Sequence, residues 1–244
     1  MNISPEEKTK LESFAQSIGI TYKDISNLKR AFIHRSYLNE VTEGGVHHNE
    51  RLEFLGDAVL ELIITEYLFD KFPERSEGEL TSFRAALVKT ESLAETAMEL
   101  KAGDYLYISK GEDLTGGRTK PYILANTYEA ILGSIYRDQG YNSAQDFVSR
   151  TLIHKIDDIV KYRLDIDSKS RLQELAQEIV GETPSYQLVE SEGPDHNRIF
   201  TMRVMVGPHD FGSGKGRSKQ LAEQQAAEVA IKNWDSLLKK YTLK

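Results

Sequence analysis

The stretch HNERLEFLGDAVL (residues 48–60) places three carboxylates in a run that is otherwise mostly apolar. At 100° per residue, Glu50, Glu53 and Asp57 fall within about 60° of one helical face. Their apolar neighbours cover most of the remaining circumference, which is typical of a helix buried in a core. Because like charges in a partly buried place repel each other, either some of these acids are protonated or a cation joins them.

A simpler alternative is a solvated edge on a buried helix, where Arg51 pairs with the acids locally. The glycine at position 56 weakens that alternative, because glycine inside a helix costs about 1 kcal/mol relative to alanine and indicates that another backbone comes close. A second helical stretch, ILANTYEAILGSIY (residues 123–136), carries Glu129 among apolar neighbours, with Asn126 three residues earlier on the same face. Two helices that each present oxygen ligands could enclose a hard divalent cation. Mg²⁺ suits such a site because it takes carboxylate oxygens, keeps several waters and is commonly completed by phosphate.

Composition limits the class of protein and its chemistry. The 244 residues suffice for one large or two modest domains, and no apolar run approaches membrane-spanning length. The absence of cysteine excludes disulfides and thiolate chemistry, and the N-terminus lacks signal-peptide features, so we expect a cytoplasmic protein without a membrane partner. The net charge of −7 is uneven, with 20 lysines and arginines against 28 acids before Ser168, and 11 against 10 from there on. An acidic body with a slightly basic tail suggests two functions in one chain.

The spacing of apolar residues changes once along the chain. Three-and-four spacing predicts helices at residues 6–18, 25–38, 49–72, 79–99, 122–139 and 143–162. Beyond residue 167 the pattern predicts a helix (168–181), three strands (185–190, 198–206 and 209–214) and a final helix (217–239). We therefore expect a domain boundary near residues 163–168.

These motifs resemble those of a known family. HNERLEFLGDAVL closely resembles the signature of ribonuclease III, and the resemblance extends to AFIHRSYLNE (31–40), EGELTSFRAALV (77–88), SKGEDLTGGR (109–118) and ILANTYEAILGSIYRDQG (123–140). It implies an all-α endonuclease and dimerisation domain over residues 1–164, and a small α+β double-stranded RNA-binding domain of order α-β-β-β-α over residues 168–240. The implied function is magnesium-dependent hydrolysis of phosphodiester bonds in double-stranded RNA. Short 3′ overhangs on the products and the processing of ribosomal and messenger RNA precursors belong to the same expectation.

The resemblance also implies roles for the acidic residues. It makes Glu53 and Glu129 ligands of Mg²⁺, with Mn²⁺ as a substitute, and it lets Asp57 share the metal and the catalytic site with Glu129. It places Glu50 and Glu77 at acidic positions beside them. Metal ions would activate a water, orient it and neutralise the leaving oxygen, which explains a site that is rich in acids and needs no histidine or serine nucleophile.

Asn126 is the main departure from the family pattern, which usually has Asp at that position. An amide oxygen can still coordinate a metal but brings no charge, so magnesium affinity should fall. The substitution leaves two hypotheses open: a metal-demanding endoribonuclease, or a double-stranded RNA-binding protein whose cleavage is impaired. The resemblance further implies a two-fold homodimer with Phe54 at its interface, although Phe54 could instead pack within one chain.

The basic segment FGSGKGRSKQ (residues 211–220) has no acid and has glycines just before a helix. Helix N-termini and lysines both attract phosphate, although a charge cluster of this size is often only a solvated face. By resemblance, the expected RNA contacts are Gln173, Glu174 and Gln177 on the first helix, His196 in the loop GPDHN, and Lys215, Arg217, Ser218 and Lys219 around the basic segment.

Three further signals carry less weight. The segment GEDLTGGRTK has glycines at phosphate-loop spacing but lacks the required Lys and Ser or Thr, so we expect no nucleotide cofactor. His47 and His48 are adjacent on a glycine-rich loop, where two side chains rarely converge on one ion, and His34 reads as structural.

Overall fold

The chain is described from a computed structural model covering residues 3–41, 45–163, 165, 167–194 and 198–241. Its contacts separate two units, Met1–Tyr162 and Arg163–Lys244. Among the described residues, no helix is both long enough and apolar enough to cross a lipid bilayer.

The first unit is helical, as predicted. Capping boxes begin two of its helices: Ser4 and Glu7 form one before α1, and Ser76 and Glu79 form one before α4. The helices are α1 (Pro5–Ser17), α2 (Ile25–Ala31), α3 (Glu50–Lys71), α4 (Glu77–Val88), α5 (Thr90–Glu99), α6 (Lys110–Leu114), α7 (Pro121–Gln139), α8 (Tyr141–Thr151) and α9 (Ile156–Tyr162), with short 3₁₀ turns at Arg35–Asn39, Ala102–Tyr105, Gly117–Thr119 and Ile153–Lys155.

Several predicted helices are broken where their apolar spacing continues. The helix predicted over residues 79–99 is two helices, because the backbone of Lys89 is extended. The helix predicted over residues 25–38 ends at Ala31, and buried Ile33 then forms an isolated β-bridge with Tyr107. The spacing survives these breaks because the residues on either side still face the core.

Helices α3 and α7 cross at the centre of this unit. A Cβ on Gly56 would overlap the carbonyl oxygen of Glu129, and a Cβ on Gly133 would overlap that of Leu52. Glycines on both helices therefore permit backbone contact, which confirms the close approach predicted at position 56. Fully buried side chains around the crossing, including Ile63 and Tyr128, hold it in place.

The second unit confirms the predicted α-β-β-β-α order and adds one helix. It contains α10 (Ser168–Ile179), β1 (Ser185–Glu192), β2 (Ile199–Val206), β3 (His209–Gly216), α11 (Lys219–Lys232) and α12 (Trp234–Tyr241). The strands form one antiparallel sheet in the order β1-β2-β3. Phe211, Trp234 and the alanine face of α11 build a separate small core. The final helix predicted over residues 217–239 is interrupted at Asn233, which ends α11.

Candidate active site

The predicted site acids of α3 lie on its first two turns. Glu50 and Asp57 are exposed, whereas Glu53 between them is half-buried. Helix α7 places half-buried Asn126 and Glu129 against the same end of α3, since the glycine crossing brings the two backbones into contact. The structure thus brings together four predicted site residues, Glu53, Asp57, Asn126 and Glu129, and sets Glu50 next to them.

Burial and mutual repulsion disturb the ionisation of two of these carboxyls. Burial first, then the charges of Asp57 and Glu53, raise the pKa of Glu129 to about 8. The pKa of Glu53 is also raised, by burial and by the charges of Glu50 and Asp57. A divalent cation would remove this repulsion and lower both pKa values, because an opposite charge favours the ionised form.

Asn126 lies beside Glu53. Its side chain hydrogen-bonds the Glu53 carboxylate, which offsets part of the rise in the pKa of Glu53. A carboxylate can only accept, so the Asn126 amide N–H is the donor. The amide oxygen then remains as the neutral ligand that this residue can offer.

A cleft of about 400 Å³ is lined by Glu50, Glu53 and Asn126, whereas Asp57 and Glu129 are not among its lining residues. Its walls include site residues that the sequence did not single out, namely Arg35, Glu112 and Tyr122. The Arg35 guanidinium lies 3.8 Å from Glu50, and the His48 Nδ1 lies 3.7 Å from the same carboxylate. Glu112 forms a 2.6 Å ion pair with Lys120. Arg35 and Glu112 lie in AFIHRSYLNE and SKGEDLTGGR, two of the segments that carry the family resemblance, and Tyr122 lies at the start of a predicted helix. Nothing in the sequence distinguishes these three residues from their neighbours.

His34 also lines this cleft. Its Nδ1 accepts a hydrogen bond from the Ser36 backbone N–H at 3.3 Å and lies 2.8 Å from the Ser36 hydroxyl. Partial burial, more than any other cause, lowers its pKa. His34 therefore stabilises the 3₁₀ turn after α2, which is a structural role. Its side chain also faces the cleft.

Glu77 lies away from these acids within one chain. It begins α4 and lines an apolar cavity of about 490 Å³ with Phe69 and Phe72, at the opposite end of α3. The rise of 1.5 Å per residue puts Phe69 roughly 24 Å from Glu53 along the helix.

Phe54 points away from the core. Its side chain is 79% exposed, and α3 also exposes Leu62 and Phe69. At 100° per residue, the exposed positions 54, 58, 62, 65 and 69 fall within about 80° of one face. We call these five residues the α3 stripe.

The predicted RNA-binding residues of the second unit are exposed. Gln173, Glu174 and Gln177 lie on the face of α10 opposite buried Leu172 and Ala176. Lys215, Arg217, Ser218 and Lys219 are exposed around the start of α11, and the Ser218 hydroxyl caps that helix by accepting from the Leu221 N–H at 3.2 Å. A polar cavity of about 490 Å³, lined by Gln173 and Gln220, joins α10 to the start of α11. His196 lies outside the described residues.

Comparison with known proteins identifies a family match for each of the two units. Residues 24–156 match the model of a ribonuclease-III-like domain, and residues 168–233 match the double-stranded RNA-binding motif. Ribonuclease 3 of Pelotomaculum thermopropionicum is 44% identical over 95% of this chain and 96% of its own length, and that of Bacillus cereus (strain G9842) is 46% identical over 90% and 89%. The nuclease domain of ribonuclease III from Campylobacter jejuni matches with a TM-score of 0.54 and 41% identity, covering 58% of this chain and 94% of that one. A helical nuclease unit with an acidic cleft, joined to an RNA-binding unit, defines an endoribonuclease. The chain belongs to the ribonuclease III family.

Proposed function

We propose that this chain hydrolyses phosphodiester bonds of double-stranded RNA at the acidic cleft of α3 and α7, with Mg²⁺ as its cofactor. The observation that carries the proposal is the convergence of Glu53, Asp57, Asn126 and Glu129, whose mutual repulsion calls for a cation. In the described part of the chain, no three histidine or acidic side chains form a ready-made metal cage. Mg²⁺ does not require such a cage, because it is commonly held by one or two carboxylates, waters and substrate phosphates.

Each residue of the proposed site has a separate role. Glu53 and Glu129 would hold the cation with the Asn126 oxygen, and Asp57 would extend the acidic wall toward the solvent. When bound, Mg²⁺ supplies an activated water and neutralises charge at the scissile phosphate. The Arg35 guanidinium, 3.8 Å from Glu50, would orient that carboxylate along the cleft. The α10 face and the basic start of α11 would hold the duplex by its shape and its phosphates.

The α3 stripe supports a two-fold dimer. The C. jejuni nuclease domain is described as having a region involved in dimer formation. A two-fold interface packs a surface on itself, and the midpoint of the stripe lies at Leu62. Parallel packing of α3 would bring two acidic first turns together, so repulsion favours the antiparallel arrangement. Each Phe54 then faces the end of the partner's α3 near Phe69, and the partner's Glu77 comes to the end where Glu50 lies.

Cleavage assays test the nuclease proposal. We expect the chain to cut a perfectly paired RNA duplex only at high Mg²⁺ or with Mn²⁺. Asn126→Asp should lower the metal concentration required, because it restores a charge to the site, and Glu129→Gln should abolish cleavage. Glu99→Gln, an exposed acid on α5, is the matched control. Duplex binding without cleavage at any metal concentration, in the chain and in Asn126→Asp, would favour the RNA-binding protein instead.

Sedimentation tests the dimer face. Phe54→Glu should give a folded monomer, because the side chain is already 79% exposed in the single chain. Leu114→Glu is the control, since Leu114 is 90% exposed on α6 and lies off the stripe. A Phe54→Glu variant that stays dimeric would rule out this face.

A further inference from the structure

Three arginines from three helices meet at one side of the nuclease unit. The Arg30 Nε donates to the His48 carbonyl at 3.3 Å, and the next residue of α2 accepts from the Asn49 side chain, so the end of α2 lies against the start of α3. Arg51 is exposed on the first turn of α3. Arg137 is exposed one turn beyond Gly133, where α7 meets the same turn of α3. We call these residues the arginine triad.

Among the described residues, no carboxylate forms an ion pair with the triad. Asp138 is next to Arg137, but both of its carboxylate oxygens accept hydrogen bonds at the start of α2. The donors are the Lys23 and Asp24 backbone N–H groups and the Asn27 amide. Glu50, next to Arg51, faces Arg35 and His48. Burial and then the charges of the other two arginines lower the pKa of Arg30. A group from outside the chain that supplies negative charge would relieve the repulsion among these three cations.

One member of the triad, Arg51, adjoins the proposed dimer face. On α3, Arg51 lies about 20° from the exposed position 58 of the α3 stripe and about 60° from Phe54, at the end of the stripe near the start of the helix. The metal-binding acids lie on the other side of Phe54. A partner that covers the stripe would therefore stand between Arg51 and RNA bound at those acids.

Antiparallel packing about Leu62 brings position 51 of one copy against positions 72–74 of the other. That end of α3 is negative for two reasons. Pro73 has no N–H to donate to the Phe69 carbonyl, which stays open at the negative end of the helix dipole. Exposed Glu74 is without an ion pair among the described residues, whereas its neighbours Lys71 and Arg75 are paired with Asp157 and Glu79.

We infer that the arginine triad of each copy docks on the end of the partner's α3, where the Glu74 carboxylate and the open helix carbonyls supply its missing counter-charge. This inference rests on the dimer in the proposed function. It makes the dimer dependent on charge as well as on the apolar stripe, and it makes dimerisation sensitive to salt, because screening weakens the attraction at the rim.

The test measures the dimer dissociation constant of the full chain by analytical ultracentrifugation at low and high salt. We expect the double variant Arg30→Gln/Arg137→Gln to weaken the dimer at low salt by about tenfold and to flatten its salt dependence. The control Lys8→Gln/Lys23→Gln removes the same charge from exposed sites of the same unit and should change neither quantity.

A charge exchange tests direct contact. Arg51→Glu alone and Glu74→Arg alone should each weaken the dimer, and the two together should restore it. Dimer constants that do not change in the arginine variants, while Phe54→Glu gives monomers, would overturn the triad's role and leave the dimer face standing. A dimer that survives Phe54→Glu would overturn both. Loss of RNA-duplex binding with an unchanged dimer constant would assign the triad to RNA and overturn the inference.

Discussion

At the scale of single residues, the raised pKa of Glu129 links the acidic site to the stability of the protein. Burial and the charges of Asp57 and Glu53 raise its pKa to about 8, from an ordinary value of 4.5. Between these values the folded, metal-free protein binds more protons than the unfolded chain. Its stability is therefore highest below about pH 4.5, as far as this group is concerned, and falls as the pH rises toward 8.

We expect the melting temperature of the metal-free protein to fall between pH 5 and pH 8 by more than that of Glu129→Gln, which cannot titrate there. Thermal denaturation in a chelator measures the difference. Parallel curves for the two proteins would show that Glu129 ionises normally. Added Mg²⁺ should restore stability chiefly at the high end of this range, because it binds the ionised carboxylate.

Sequence reasoning reached some residues of the site and missed others for a physical reason. Glu53 and Glu129 stand out because an acid in an apolar helical pattern needs an explanation. Arg35 and Glu112 come from polar segments, where charged residues are ordinary, and only the fold brings them to the cleft. The sequence also grouped Glu77 with the other acids, whereas one chain separates them by most of the length of α3.

At the scale of elements, the contact between α3 and α7 depends on two glycines. Gly56→Ala should destabilise the protein by about 3 kcal/mol, because the added methyl meets the backbone of Glu129 rather than a side chain that can move. Gly78→Ala is a matched control: Gly78 is also helical, an added Cβ there meets nothing within 4 Å, and we expect a gain of up to about 1 kcal/mol. Urea denaturation measures both. A Gly56→Ala variant as stable as Gly78→Ala would contradict the close crossing.

The order of elements was predictable because the period of apolar residues changes from helical to alternating between the two units. The ends of the helices were less so. Lys89 interrupts a continuous apolar pattern without any glycine or proline, and a pattern reports which residues face the core, not whether the backbone between them stays helical. The same limit hid the break at Asn233 between α11 and α12.

At the scale of the whole molecule, the distribution of charge predicts that RNA is bound mainly by the second unit and cleaved by the first. The acidic nuclease unit repels phosphate, so the exposed basic start of α11 should carry much of the electrostatic affinity. Lys215→Ala/Lys219→Ala should lower the slope of log affinity against log salt by up to about 2 for any duplex sequence. Lys239→Ala/Lys240→Ala removes equal charge from α12 as the control. Equal slopes in the two double variants would show that Lys215 and Lys219 do not bind the phosphates of the duplex.

The proposed two-fold axis makes a last prediction about the products of cleavage. Each copy contributes one acidic cleft, and two clefts related by the axis can each cut one strand of a duplex. A heterodimer of the unaltered chain and Glu129→Gln, purified through two different affinity tags, should therefore nick duplex RNA without severing it. Denaturing gels would show cut strands, while native gels would still show duplexes of full length. Double-strand breaks at the normal rate would mean that one cleft cuts both strands in turn, and the dimer would then serve binding alone.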